Sequence, residues 1–226
     1  MKRRLLVSDL GRESYVSVLE LQRSLCRQRL AGELQDDVLL LVEHEPVVTL
    51  GRGTHPESLP LPAAELGRRG IGVYDVERGG DVTFHGPGQL VGYPILNLRD
   101  HREDLHWYLR TLESALVSAL GSLGISAGVR PGLTGVWTQG RKIASIGIHV
   151  KQWITYHGFA LNVSTDLSYF GLIVPCGISG VVMTSVGAEL GRSDAAQLGE
   201  EARLAVVQGL SAALDLAPFE ANSVRA

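Results

Sequence analysis

Cysteine is scarce. Cys26 and Cys176 are the only two in 226 residues, too few and too far apart for a disulfide framework, which points to a reducing cytoplasm. Charge of one sign is also in short supply. A net charge of -3 without any basic block excludes a general nucleic-acid or membrane-surface binder, although it leaves room for a local basic patch. No apolar run reaches membrane-spanning length. The opening MKRRLLVSDL places only Leu5, Leu6 and Val7 together before Ser8, too few for the apolar region of a signal peptide. Internal repeats and low-complexity linkers are absent, and a hydrophobic fraction of 45% is ample for one substantial core, so residues 1–226 are expected to form one domain.

Several catalytic signatures are missing too. There is no G-x-S-x-G elbow for a serine hydrolase. His44 sits between Glu43 and Glu45, but no HExxH or comparable ligand spacing follows, so no metal is expected. The stretch Gly86 to Gly92 fails the dinucleotide fingerprint, because Val91 stands where a third glycine belongs and a strand follows instead of a helix. In GVWTQGRK, 135–142, Arg141 occupies the lysine position of a P-loop and Val136-Trp137 fill the part that must flex.

What the chain does have is RGGDVTFHGPGQLVG at 78–92. Gly79-Gly80 and Gly86-Pro87-Gly88 allow sharp turns and a close approach to the backbone, and Val82, Thr83 and Phe84 between them favour an extended strand. Around this loop, periodicity predicts strands over 3–9, 38–42, 47–50, 71–76, 90–98, 135–138, 142–151 and 154–163. It predicts helices over 14–30, 62–69, 104–123 and 197–214, with a loop at 164–174. Gln139-Gly140 reads as a hairpin turn that leaves Lys142 just inside the next strand. His101 and His106 read as capping or surface residues, and Cys26 as an ordinary residue of the first helix. The fold class is α+β, with a mixed, mostly antiparallel sheet flanked by helices and no regular βαβ alternation.

Cys176 lies between Pro175 and Gly177, a setting that can present a thiol beside free backbone N–H groups. An ordinary thiol is only a few per cent ionised at neutral pH, so it needs an activating partner. His85, His149, His157 and Lys142 are all candidates.

RGGDVTFHGPGQLVGYPILNL at 78–98, GRKIASIGI at 140–148, HGFALNV at 157–163 and IVPCG at 173–177 together resemble the lipoate-protein ligase B family, the octanoyltransferases that act between acyl carrier protein and lipoyl domains. The resemblance implies the biotin/lipoate ligase catalytic fold and a thioester-to-lysine acyl transfer, the first step of endogenous protein lipoylation. By it, Cys176 matches the nucleophile and Lys142 the group that activates it. The substrate-contacting segments fall on Arg78, Gly79, Gly80, Asp81, Val82, Thr83, Phe84 and His85, on Ser145, Ile146 and Gly147, and on Gly158, Phe159 and Ala160.

The same resemblance implies no ATP, metal or other cofactor, the octanoyl group arriving on the phosphopantetheine of acyl carrier protein. The acceptors are lysines on lipoyl domains of 2-oxo-acid dehydrogenase E2 subunits and on the glycine-cleavage H protein, and the protein is expected to be a cytoplasmic monomer. Small residues would leave room for the chain, with Phe84, Ile146 and Phe159 as apolar walls, and burying the chain would contribute roughly 5 kcal/mol. Arg52, Arg68, Arg69, Arg141, Lys142 and Lys151 form a candidate docking patch for acidic partners. The competing readings are an ATP-dependent lipoate or biotin ligase, a cysteine thioesterase and a non-catalytic carrier-protein binder.

Overall fold

The computed structural model describes residues 2–175 and 180–220, and Cys176 lies outside the described residues. In chain order the elements are β1 (Arg3–Glu13), α1 (Tyr15–Ala31), β2 (Asp37–His44), β3 (Val47–Leu50), α2 (Ala63–Arg68), β4 (Gly72–Asp75), β5 (Val82–His85) and β6 (Gln89–Ile95). They continue with α3 (Leu105–Ser122), β7 (Gly128–Arg130), β8 (Leu133–Thr138), β9 (Arg141–Lys151), β10 (Ile154–Asn162), α4 (Val186–Leu190), α5 (Ala195–Leu214) and β11 (Leu216–Glu220). The fold is α+β. No helix among the described residues is long and apolar enough to cross a membrane.

The continuous apolar run at 38–42 becomes the middle of β2, buried on both faces as such a run requires. It lies inside a sheet ordered β11-β1-β2-β6-β10-β9-β8-β7. β1 runs parallel to both β11 and β2, and every other neighbour is antiparallel. The parallel β1-α1-β2 crossover is a single βαβ unit and does not continue into the regular alternation that the sequence also lacks. Its helix is well marked: Ser14 caps the start by accepting from the Ser17 N–H, and Gly32 ends it in the left-handed region at φ 75°. One sheet face carries α3 and α5 over Leu39, Leu41, Phe159 and Leu161; the other carries α1 over Leu40, Val91, Tyr93 and Ala160.

A second sheet, β4-β3-β5, stands apart from the first. It places the glycine loop's strand against β3, with Val48 opposite Phe84 and Thr49 opposite Thr83. The expected loop at 164–174 contains a 3-10 turn over Leu167–Leu172, which puts Phe170 into the core of this second sheet.

Candidate functional site

The turn before β9 forms as its sequence demands, with Gln139 at φ 45° and Gly140 at φ 82°. It delivers Lys142 to the interior, where the residue is only 1% exposed. The Lys142 N–H donates to the Val182 carbonyl at 2.8 Å, and its own carbonyl accepts from the Thr184 N–H at 2.9 Å. Its Nζ lies 5.5 Å from the centre of the Trp137 ring. A residue so enclosed cannot belong to a surface docking patch. Of the other members of the expected patch, Arg141 is engaged by Glu189 at 2.9 Å, and Arg68 and Arg69 both pair with Glu65.

Lys142 borders a cavity of about 330 Å³ between the two sheets. Of the residues expected at the site, Arg78, Gly80, Asp81, Val82, Thr83 and His85 reach it from the glycine loop and β5. Ser145, Ile146, Gly147, Gly158, Phe159 and Ala160 reach it from β9 and β10. Gly79 and Phe84 do not border it. Phe84 stacks on Tyr169 with ring centres 4.6 Å apart and meets Phe170 edge-on, within the core of the second sheet. Phe159 and Ile146 border the cavity as expected, but they serve the core as well. Their side chains pack in the core under α3 and α5, and the Phe159 ring fills the space over Gly92.

The glycines serve packing as much as ligand access. Gly88 turns at φ 77° against the Ser164 backbone, where a Cβ would come within 2.7 Å. Its N–H donates to Glu43 Oε2 at 2.6 Å. At Gly147 a Cβ would stand 3.0 Å from Arg78 Cδ and 3.1 Å from the Gly79 carbonyl. That clearance lets Arg78 lie on the strand, with its guanidinium donating to Thr49 Oγ1 and to the Thr49 carbonyl at 2.7 Å.

Tyr15, Val91, Tyr93, Gly132, Leu133, Thr134 and His157 also border the cavity and were not among the expected contacts. No local signal marks most of them, because α1, β6 and the β7–β8 hairpin meet here only after folding. His157 has a local signature: it adopts φ 57° within β10, and its N–H donates to Gln22 Oε1 at 2.9 Å.

Burial governs the imidazoles. It pushes His44 down to about 4, His85 to about 3 and His157 to about 4, Glu77 partly opposing the shift at His157. His149 is also lowered by burial and does not border the cavity. The hydrogen bonds assign two tautomers. Gln89 Nε2 donates to Asn162 Oδ1 at 2.9 Å, so Gln89 Oε1 accepts from His85 Nδ1–H at 2.8 Å. His44 Nδ1 donates to the Glu13 carbonyl at 3.0 Å, so its Nε2 accepts the Tyr93 hydroxyl at 2.8 Å. Cys26 is the ordinary helical residue expected, buried in α1 with its thiol pushed up by that burial.

The segment carrying Cys176 is tied to this cavity at both described flanks. Before it, the Val174 N–H donates to the Ser58 carbonyl at 2.9 Å, while Ser58 Oγ donates to Asp81 Oδ2 at 2.6 Å. After it, Val182 and Thr184 bracket the Lys142 backbone.

The family model described as the lipoyl protein ligase A/B catalytic domain matches residues 14–205. An octanoyltransferase of Solibacter usitatus is 54% identical over 192 residues, covering 85% of this chain and 86% of its own. One from Gloeobacter violaceus is 50% identical over 176 residues, covering 78% and 77%. Among solved structures, a bipartite lipoate protein ligase from Thermoplasma acidophilum superposes with a TM-score of 0.73 at 21% identity, covering 98% of this chain and 87% of that one. This last likeness concerns the fold.

Proposed function

The chain belongs to the lipoyl protein ligase A/B catalytic-domain family, and from that premise we propose that it moves an octanoyl group from acyl carrier protein to a lysine of a lipoyl domain through a thioester on Cys176. The observation that carries the reading is Lys142, buried on the cavity wall and held by Val182 and Thr184, immediately beyond the segment that contains Cys176. Its octanoyltransferase relatives weigh against the adenylating ligase.

The choice of activating group follows from electrostatics. An imidazole held near 3 or 4 is uncharged at neutral pH and a weak base, so neither His85 nor His157 supplies a cation to stabilise a thiolate. Lys142 takes that role in the proposal. The Cys176 thiolate attacks the octanoyl carbonyl carbon; the new C–S bond replaces the one to phosphopantetheine, whose sulfur leaves and takes up the proton held by Lys142, which is left neutral and ready to receive the proton of the acceptor amine. One thioester replaces another, so the step is close to isoenergetic. The acceptor lysine then attacks as the free amine, the C–N bond forms, the Cys176 sulfur leaves, and the proton shed by the amine passes through Lys142. Thioester to amide is downhill. The cycle therefore runs without ATP or a metal.

Incubation with octanoyl-acyl carrier protein, read by intact mass, tests the reading. One octanoyl adduct is expected on the wild-type protein and none on Cys176→Ser. No adduct on the wild type, or an undiminished adduct on the variant, overturns it. Adding an apo-lipoyl domain separates the transferase from a thioesterase, which would release free octanoate.

A further inference from the structure

We infer that Tyr93, clamped from behind by His44, is the end wall of the acyl cavity and fixes the chain length the protein accepts; the inference rests on the octanoyl-transfer reading above. The sheet order places β6 next to β10 and β10 next to β9, and the register sets Tyr93 in line with Gly158 and Gly147, five residues along β9 from Lys142. The path from Lys142 to Tyr93 therefore runs diagonally over the floor, about 10 Å across the strands and about 16 Å along them.

The cavity floor along this line is graded in size. β9 contributes Ser145 and Gly147, and β10 contributes Ala160 opposite Ser145 and Gly158 opposite Gly147. β6 then contributes Val91, opposite Ala160, and Tyr93. Val91, Tyr93 and Ala160 pack on one sheet face, whereas Phe159 belongs to the other. Tyr93 is therefore the first aromatic side chain that a chain meets on that floor when it leaves Lys142 and crosses the small residues. Tyr15, stacked on His85 with ring centres 6.1 Å apart, lines the same cavity above it.

The wall is fixed in place. Tyr93 is 3% exposed and His44 is fully buried. The Glu13 carbonyl can only accept, which puts the proton of His44 on Nδ1 and leaves Nε2 to receive the Tyr93 hydroxyl at 2.8 Å. If the Tyr93 ring swung aside, both the hydroxyl and Nε2 would lose their partner in a buried site. His44 does not border the cavity itself; it is a positioning residue acting through Tyr93.

The test offers the protein an equimolar mixture of acyl carrier proteins charged with six-, eight-, ten- and twelve-carbon chains and reads the acyl adducts by intact mass. The wild type is expected to load the eight-carbon chain most. Tyr93→Ala should raise the ten-to-eight-carbon ratio by at least about ten-fold, in line with what one or two methylenes decide in an apolar pocket. Tyr93→Leu should raise it less, and serves if the alanine variant does not fold. His44→Asn leaves the ring but removes its clamp, and should raise the same ratio with Tyr93 in place. Folded Tyr93 variants with an unchanged ratio overturn the end wall, and an unchanged ratio in His44→Asn overturns the clamp. Absence of any adduct on the wild type overturns the octanoyl-transfer reading instead.

Discussion

His157 Nε2 stands 3.6 Å from Glu77 Oε2, beyond hydrogen-bonding distance, and both atoms are buried without a hydrogen-bond partner. Burial holds this imidazole at about 4, as it holds His44 at about 4 and His85 at about 3. In the unfolded chain each would titrate near ~6.5. Between those values the unfolded state binds more protons, so stability is full above about pH 6.5 and falls as pH drops towards 4. At about 1.4 kcal/mol per unit, the three rings together should remove several kcal/mol over that window. Urea unfolding at a series of pH values checks this; a flat profile from pH 7 to 4 would contradict the neutral, buried state of all three.

Gly88 and Gly147 both sit at close approaches, but of different kinds. At Gly88 the obstacle is the Ser164 backbone at 2.7 Å and φ is 77°, so Gly88→Ala meets steric overlap and left-handed strain together, and a loss of about 2–4 kcal/mol is expected. At Gly147 the nearest atoms are Arg78 Cδ at 3.0 Å and the Gly79 carbonyl oxygen at 3.1 Å, contacts that need give by only a few tenths of an ångström. Gly147→Ala should cost about 1 kcal/mol or less in stability. It should nevertheless depress acyl loading, because Arg78 would yield into the cavity. Thermal melts and the mass assay on both variants separate the two effects.

Much of this arrangement is legible in the sequence where the signal is local. The Gln139-Gly140 turn fixes where Lys142 enters its strand, the apolar run at 38–42 declares a doubly buried strand, and Ser14 and Gly32 bound the first helix. What escapes is pairing. Val82 to His85 forms a separate sheet because β3, from well upstream, lies beside it, and nothing within the glycine loop encodes that. Face assignment escapes for the same reason: Phe159 borders the cavity, yet its pairing with Gly92 lays its ring over that glycine and into the core. His101 reads as a capping residue, yet it donates to Asp37 from sixty-four positions away. β11 is hidden by its brevity and by Pro218, which an edge strand tolerates.

Asp37 is 3% exposed and receives Arg29 Nη2 on Oδ1 at 2.8 Å and His101 Nε2 on Oδ2 at 2.7 Å. The Asn97 N–H also donates to Oδ1. Removing this carboxylate leaves the Arg29 guanidinium, itself almost wholly buried, without its closest counter-charge. Asp37→Ala should therefore lose about 3–5 kcal/mol, whereas Asp36→Ala, whose ion pair with Arg4 lies at the surface, should lose no more than about 1 kcal/mol. Denaturant titration of the two variants at pH 7 gives the comparison.

Lys142 is anchored through its backbone on both sides. The bonds to Val182 and Thr184 do not involve the side chain, so Lys142→Ala should keep the local strand pairing while losing the side-chain amine. Single-turnover transfer from octanoyl-acyl carrier protein to an apo-lipoyl domain should then slow by about 10²- to 10⁴-fold, the range for loss of a positioned proton-transfer group. Arginine is no conservative substitute here. A Cβ on Gly135 would already stand 2.8 Å from Lys142 Cε, and the Trp137 ring lies beside Nζ, so the broader guanidinium cannot occupy the same space, nor does it give up a proton near neutrality. Lys142→Arg is therefore expected to transfer no faster than Lys142→Ala. A wild-type rate in the arginine variant would show that positive charge alone suffices and that no proton passes through residue 142.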